Sequence, residues 1–521
     1  MIYNKFTMQG KKEFTPKMFY NLSLDSLVPS DDFYRQVNRS IDFSFLYKST
    51  AKYYGTEGQE SIDPVVFFKI CMVGYLNNLC SDRQLIKFCS NSLNIRLFLG
   101  YDLDENLPWH STISRTRSLY GEEVFLSLFK EVLRLCVVKG MVSGKRQAVD
   151  SSFIKANASL DSLLEKEVLD DVEQYTDELN KNSEPTVTAY KKKRVEQHHK
   201  CKAKHTKDIP GSDSKDAKFL SNHTHYSPTD PDARISTKPG KPRNMNYFGQ
   251  LSVDTSNHVI TGACADFADK RDSQCLEKIC DRTLENLEEN ELAMGELLAD
   301  TGYSSGSALA YLDKKGINAW IPNFGQFTPE REGFFYNEKC NQYECLRGNR
   351  AILPFKNTST DKNGYTRHIY RSSESICKNC ACRVECCGER TKFKRIERSE
   401  HHDLYVQMHE KLTKNVRKAQ RMRRLRSSTV EPVLGTLINF LGMKKVNTRG
   451  IAQAEKHVLM ASLCYNLKKL LKFKPKKAEI MAIALQKSEQ LAEQLFSYFF
   501  LLPIFIVNQN KPSFFKLQLS Q

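Results

Sequence analysis

The chain has 521 residues, 40% of them hydrophobic, which is ample material for several packed cores and excludes a chain that is unstructured throughout. Lys and Arg number 78 against 61 Asp and Glu, and the resulting formal charge of +17 favours a polyanionic partner, nucleic acid ahead of a membrane surface. Met1 to Lys12 has no apolar segment of secretory type. The longest apolar run, Leu495 to Val507, is interrupted by Ser497 and Pro503 and is shorter than the ~20 residues of a membrane span. These features predict a soluble cytoplasmic protein with no membrane segment. The 16 Cys are too dispersed for a small disulfide scaffold, so clusters among them point to metal.

Residues 1–140 read as a helical N-terminal domain. Asp63-Pro64 supplies a cap and a first-turn proline for the apolar stretch Pro64 to Leu79, and Ser81-Asp82 opens another helix. Thr112 to Leu119 carries Arg115 and Arg117, and Glu122 to Val138 is apolar at helical spacing. Short helices joined by tight turns, one bearing arginines, suit a helix-turn-helix DNA reader, and equally a plain helical bundle. After Gly140 the pattern changes, and 141–324 reads as the first part of an α/β domain. Gln147 to Asp150 looks like a strand closed by a carboxylate. Residues 161–245 look like a charged insertion, acidic from Asp161 to Glu178 and basic from Lys191 to Lys207. Tyr247–Asp254 and His258–Cys264 flank the turn Thr255 to Asn257 as a hairpin. A helix over Ser273–Asn290, a short strand closed by Asp300, a helix over Ser307–Lys315 and a strand at Asn318–Pro322 follow. A Cys-rich insertion spans 325–400, a basic helical region 401–475, and a helical, then apolar, tail 476–521.

Asp150 and Asp300 each end a short apolar strand, where ligands gather in such sheets. Glu431 is the third candidate, and Pro432 behind it fits the first turn of a helix. Three carboxylates around one cleft can hold two Mg²⁺ ions, which clamp the attacking and leaving oxygens of a phosphodiester. Taken singly, a strand-end Asp is usually a turn cap. Asp254 reads as a hairpin residue, kept as a reserve metal ligand, and Asp266, Asp269 and Asp272 as solvated. Lys411, Lys414, Arg417, Lys418, Arg421, Arg423, Arg424 and Arg426 follow one another with no acid between them. A helix so loaded would hold DNA phosphates beside the metals, with Arg449 adding a contact. Cys377 and Cys380 form a CxxC pair, with Cys382, Cys386 and Cys387 after it and Cys340 and Cys345 before. Such spacing suits tetrahedral Zn²⁺ with sulfur ligands, for which Cys345, Cys377, Cys380 and Cys386 are the chosen set; free thiols are the alternative. Cys71, Cys80, Cys89, Cys136 and Cys464 read as core residues.

Several stretches together resemble the insertion-sequence transposases of the DDE class, in the branch with an N-terminal helical domain and a Cys-containing insertion. They are QAVDSSFIKANAS at 147–159, TDPDARISTKPGKPRNMNYFGQLSVD at 229–254, LLADTGYSS at 297–305 and RSSTVEPVLGTLINFLGMKKVNTRG at 426–450. SLDSLVPSDDFYRQVNRSIDFSFL at 23–46 and ESIDPVVFFKICMVGYLNNLCSDRQLI at 60–86 agree with it. The resemblance covers roughly residues 20 to 475. It implies an α/β RNase H-like catalytic domain (a mixed sheet flanked by helices), an all-α N-terminal DNA-binding domain and the Cys-containing insertion. It implies that Asp150 on the first strand, Asp300 after the fourth and Glu431 opening a late helix bind Mg²⁺ or Mn²⁺. Water would cut the end of a mobile element, and the released 3′-hydroxyl would attack target DNA. The implied setting is a homodimer on paired DNA ends in the bacterial cytoplasm, at the nucleoid. Leu434 stands where the family usually has an aromatic, and Ser151-Ser152 departs from the usual residues after the first Asp. A repurposed DNA-binding protein without catalysis is the rival reading. A zinc-ribbon RNA binder is a weaker one, because it does not account for the strand-end carboxylates.

Overall fold

The computed structural model describes residues 22–55, 57, 61–165, 221–222, 225–236, 243–325, 327–361 and 364–474. Most of the charged insertion and the apolar run Leu495 to Val507 lie outside these residues.

The N-terminal part is helical. α1 (Pro64–Leu76) starts where its signal stands: Asp63 Oδ1 accepts the N–H groups of Val65 and Val66 at 2.6 and 3.2 Å. It stops before Leu79 because Asn78 turns left-handed, with φ +55°. α2 (Asp82–Asn91), α3 (His110–Leu119) and α4 (Glu122–Val138) follow, with shorter helices before and between them.

A mixed sheet forms the second layer. Its strands are β1 (Arg146–Lys155), β2 (Arg234–Ser236), β3 (Asn244–Asp254), β4 (Ile260–Phe267), β5 (Glu296–Leu298) and β6 (Asn318–Trp320). β3 runs antiparallel to β1 on one side and to β2 and β4 on the other. Across β1, β5 pairs in parallel, and β6 pairs in parallel with β5. α5 (Asp272–Glu288) connects β4 to β5, and α6 (Gly306–Lys314) connects β5 to β6. One expectation needs correction here. β1 does not end at Asp150 but continues to Lys155, so Asp150 is mid-strand. Ser151-Ser152 reads locally as a turn, yet both residues pair with Gln250 and Gly249 of β3. Cross-strand pairing overrides the weak intrinsic strand preference.

Residues 325–400, the Cys-rich insertion, carry a sheet of their own. β7 (Phe334–Asn337), β8 (Gln342–Cys345), β9 (Ile352–Thr360), β10 (Thr366–Arg371) and β11 (Arg395–Ser399) form an antiparallel meander. Its small separate core holds Tyr343, Leu353, Tyr370, Cys377 and Ile396.

Three helices close the described chain: α7 (His402–Lys414), α8 (Val416–Phe440) and α9 (Ile451–Lys472). The basic stretch is therefore two helices, broken at Asn415, whose side chain accepts the Lys418 N–H at 2.9 Å as a cap. Glu431 and Pro432 are not at a helix start either; both lie inside the 25-residue α8. α9 is buried over nearly its whole circumference from Ala454 to Leu467, the polar Glu455, Lys456, His457, Ser462 and Asn466 included. It packs on α4 and α1 on one side and on β4 on the other. One continuous apolar core consequently runs from the N-terminal helices through α9 into the sheet. The segment after α8 returns to the sheet, where Lys155 N–H donates to Lys444 O at 3.1 Å and Val446 N–H to Lys155 O at 2.9 Å.

Candidate active site

β1 and α8 bring two of the three carboxylates to one cation. Arg426 Nη1 donates to Asp150 Oδ2 at 2.9 Å, and Arg426 Nη2 donates to Glu431 Oε1 at 3.0 Å. The Asp150 and Arg426 side chains are 17% and 14% exposed, and Glu431 is 56% exposed at the rim. Asp300 follows β5. Its Oδ1 accepts the Gly302 N–H at 2.9 Å, so it is also the turn cap that a lone strand-end Asp usually is. Asp300 lines a cleft of about 490 Å³ together with Trp320, Arg423 and Arg426. Burial pushes the Asp150 carboxyl above the ordinary range. The Ser151 N–H and Arg426 oppose that push, and the charge of Asp300 adds to it.

A fourth carboxylate joins the surroundings. Asp272, at the start of α5, accepts the Ser151 hydroxyl. A Cβ on Gly302 would meet Asp272 Oδ2 at 2.7 Å and Asp300 Oδ1 at 3.0 Å, so the bare glycine lets the two acids approach. The expectation that Asp272 is solvated is corrected by this placement. Asp266, also expected to be solvated, is 4% exposed and takes Lys270 Nζ at 2.9 Å. Asp254 is structural: its Oδ2 accepts the Gly144 N–H at 2.9 Å and Gln147 Nε2 at 3.1 Å.

The basic residues divide into two kinds. Lys418, Arg421, Arg423 and Arg424 on α8 are exposed, as are Arg449 and, on α3, Arg115. Lys418 Nζ stands 5.0 Å from the centre of the Trp320 ring. Arg117 differs. Its Nη1 and Nη2 donate to both oxygens of Asp82 at 3.0 and 2.8 Å, and its side chain is 17% exposed. Arg117, expected to contact DNA, is engaged in an ion pair inside the helical region.

In the meander region, the chosen cysteines share one cavity. Cys345, Cys377, Cys380 and Cys386 line about 190 Å³ together with Cys382 and Cys387. Gly348, with φ +53°, lets the loop pass Cys380 Sγ, into which a Cβ would collide. The backbone N–H groups of Asn349 and Cys382 hold the Cys380 thiol below its ordinary range, while burial pushes Cys387 up to about 11. Of the cysteines expected in the core, Cys71, Cys89, Cys136 and Cys464 are buried and Cys80 is exposed.

Among the described residues, no three His, Cys, Asp or Glu side chains stand in an arrangement that would grip an ion as seen. The chemistry of the donors nevertheless fits. Asp150, Asp300 and Glu431 offer hard oxygens of the kind Mg²⁺ and Mn²⁺ take, and Arg426 already places a cation between two of them. The cysteine cavity offers the soft sulfurs that Zn²⁺ takes. No helix among the described residues is long and apolar enough to cross a membrane.

Comparison with known families gives two matches. A family described as "Transposase domain (DUF772)" matches residues 22–119, and one described as "Transposase DDE domain" matches residues 344–471. The second range contains Arg426, Glu431, Arg449 and the six cysteines that line the cavity. No curated protein matches the chain.

Proposed function

The chain belongs to the insertion-sequence DDE transposases, and from that premise we propose that it binds the terminal inverted repeats of its element and carries out metal-dependent strand cleavage and strand transfer. The RNase H-like fold that such a domain implies accords with the mixed sheet centred on β1. The observation that carries the reading is the meeting of Asp150 and Glu431 at one guanidinium, beside the cleft that Asp300 lines.

Asp150, Asp300 and Glu431 are the residues that would hold Mg²⁺ or Mn²⁺, whose bound ions supply Lewis acidity at a phosphate oxygen and acidify an attacking water. Around them the chain's own groups act on DNA. Arg421, Arg423, Arg424 and Lys418 present exposed cations along α8, of the kind that hold backbone phosphates. Arg449 and Arg115 add exposed cations on other elements. Trp320 and Pro322 form an apolar wall of the cleft beside Asp300. The reaction needs no covalent enzyme intermediate, so no Ser, Tyr or Cys nucleophile is invoked. Cys345, Cys377, Cys380 and Cys386 would hold a structural Zn²⁺ that pins the meander. A homodimer on paired ends completes the reading.

Asp150→Asn, Asp300→Asn and Glu431→Gln are each expected to lower cleavage of a plasmid carrying the element ends by at least about 100-fold, the scale seen when stabilisation of developing charge is removed. Binding of the ends in a gel-shift assay should survive in all three. Full cleavage by any one of them removes that residue from the site. A wild type that binds ends but never cuts with Mg²⁺ or Mn²⁺ supports the non-catalytic DNA-binding reading instead.

A further inference from the structure

Arg426 closes the cationic row of α8, yet it does not behave like the rest of it. Arg421, Arg423 and Arg424 are exposed, whereas the Arg426 side chain is 14% exposed and turned inward. Each of its terminal nitrogens is engaged by a carboxylate that the proposed function assigns to metal, one from β1 and one from α8 itself. A planar guanidinium can serve two carboxylates at once, which an ammonium cannot do with fixed geometry. Without a cation the half-buried Asp150, with Asp300 beside it, would face Glu431 as like charges.

We propose that Arg426 is the resident counter-ion of the acidic site, holding Asp150 and Glu431 together in the metal-free chain and releasing them when divalent ions bind. The inference rests on the reading of Asp150 and Glu431 as metal ligands. Its physical basis is competition. A divalent ion on those oxygens would lie within a few ångströms of the guanidinium, which is itself 14% exposed, and would repel it. The open cleft provides a place for the displaced side chain, since Arg426 and Arg423 both line it. The acidic site is thus kept assembled and internally neutralised until ions arrive. Metal binding then frees one more cation of the basic helix α8 for phosphate.

The test uses the full chain stripped of metal, with Arg426→Gln, Arg426→Lys and Glu431→Gln beside the wild type. Mn²⁺ binding is followed by titration calorimetry, and thermal melting is followed with EDTA and with Mn²⁺. Arg426→Gln should melt below the wild type in EDTA, regain more of that loss on Mn²⁺ addition than the wild type gains, and bind Mn²⁺ about tenfold more tightly because a neighbouring like charge is gone. Arg426→Lys, which keeps the charge but loses the fork, should bind Mn²⁺ within about twofold of the wild type and melt lower in EDTA. Equal or weaker Mn²⁺ binding by Arg426→Gln overturns the proposal, as does an EDTA melt equal to that of the wild type. Should Arg426→Gln fail to fold, an Arg426→Lys melt in EDTA equal to the wild type overturns it on its own. Glu431→Gln separates the two levels: if it binds Mn²⁺ as well as the wild type, the fault lies with the assignment of the metal ligands and not with the role of Arg426.

Discussion

Arg117 and Asp82 face each other as a two-pronged ion pair, with nitrogen-to-oxygen distances of 2.8 and 3.0 Å, between the third and second labelled helices of the N-terminal region. Both side chains are largely withdrawn from water. Removing one partner of such a pair leaves an uncompensated charge, which typically costs about 3–5 kcal/mol. Arg117→Ala should therefore lower the melting temperature sharply, and a paired Arg117→Met, Asp82→Leu variant should recover most of the loss. If Arg117 contacted DNA instead, Arg117→Ala would melt like the wild type and lose affinity for DNA ends.

The exposed arginines of α8 should behave in the opposite way. Arg421, Arg423 and Arg424 are exposed, so each change to Ala should leave melting nearly unaltered. DNA binding measured against salt should weaken for every sequence tested, and each lost phosphate contact should reduce the slope of the log–log salt plot by about 1. An unchanged slope in the triple variant would remove α8 from the DNA interface.

His457 makes stability depend on acid. It lies on the buried α9, with Nδ1 2.8 Å from the Tyr75 hydroxyl. Burial drives its pKa down to about 4 from the ordinary 6.5. A depressed folded-state pKa means that the unfolded chain takes up the proton first. The stability His457 contributes is therefore complete above pH 6.5 and is lost progressively as the pH falls toward 4, by roughly 3 kcal/mol at most. Melting temperatures of wild type and His457→Phe, followed from pH 7.5 to 4.5, should converge toward the acid end. Parallel curves would show that this residue does not control the acid response.

The cysteine cavity predicts a metal content. Protein purified without chelator should carry about one zinc per chain, held by four thiolates. Cys380→Ser or Cys386→Ser should lose it, and chelation should unfold the 334–399 meander at a lower temperature than the sheet, because metal binding and local folding are coupled. Elemental analysis showing no zinc in freshly purified protein would leave the cysteines as free thiols without touching the transposase reading.

Much of the local structure was legible in the residue order. Asp63-Pro64 announced α1 because a capping carboxylate and a helix-start proline act within a few residues of each other. Glu122–Val138 was bounded correctly because its apolar spacing is a local property. Asp150, Asp300 and Glu431 could be singled out by their positions after short apolar strands and a basic run, and by the family resemblance. What the linear order could not decide is who meets whom. Arg426 reads like every other cation of its row, and only the folding of α8 against β1 turns it onto Asp150, 276 residues away. Asp272 reads as a solvated acid until the turn at Gly302 lets it approach Asp300. β1 extends past its serines because β3 supplies partners for them. Capping and periodicity arise from interactions within a turn or two of the chain, whereas the partners of a charge depend on which distant surfaces the core brings together, and that choice is made by the packing of the whole molecule.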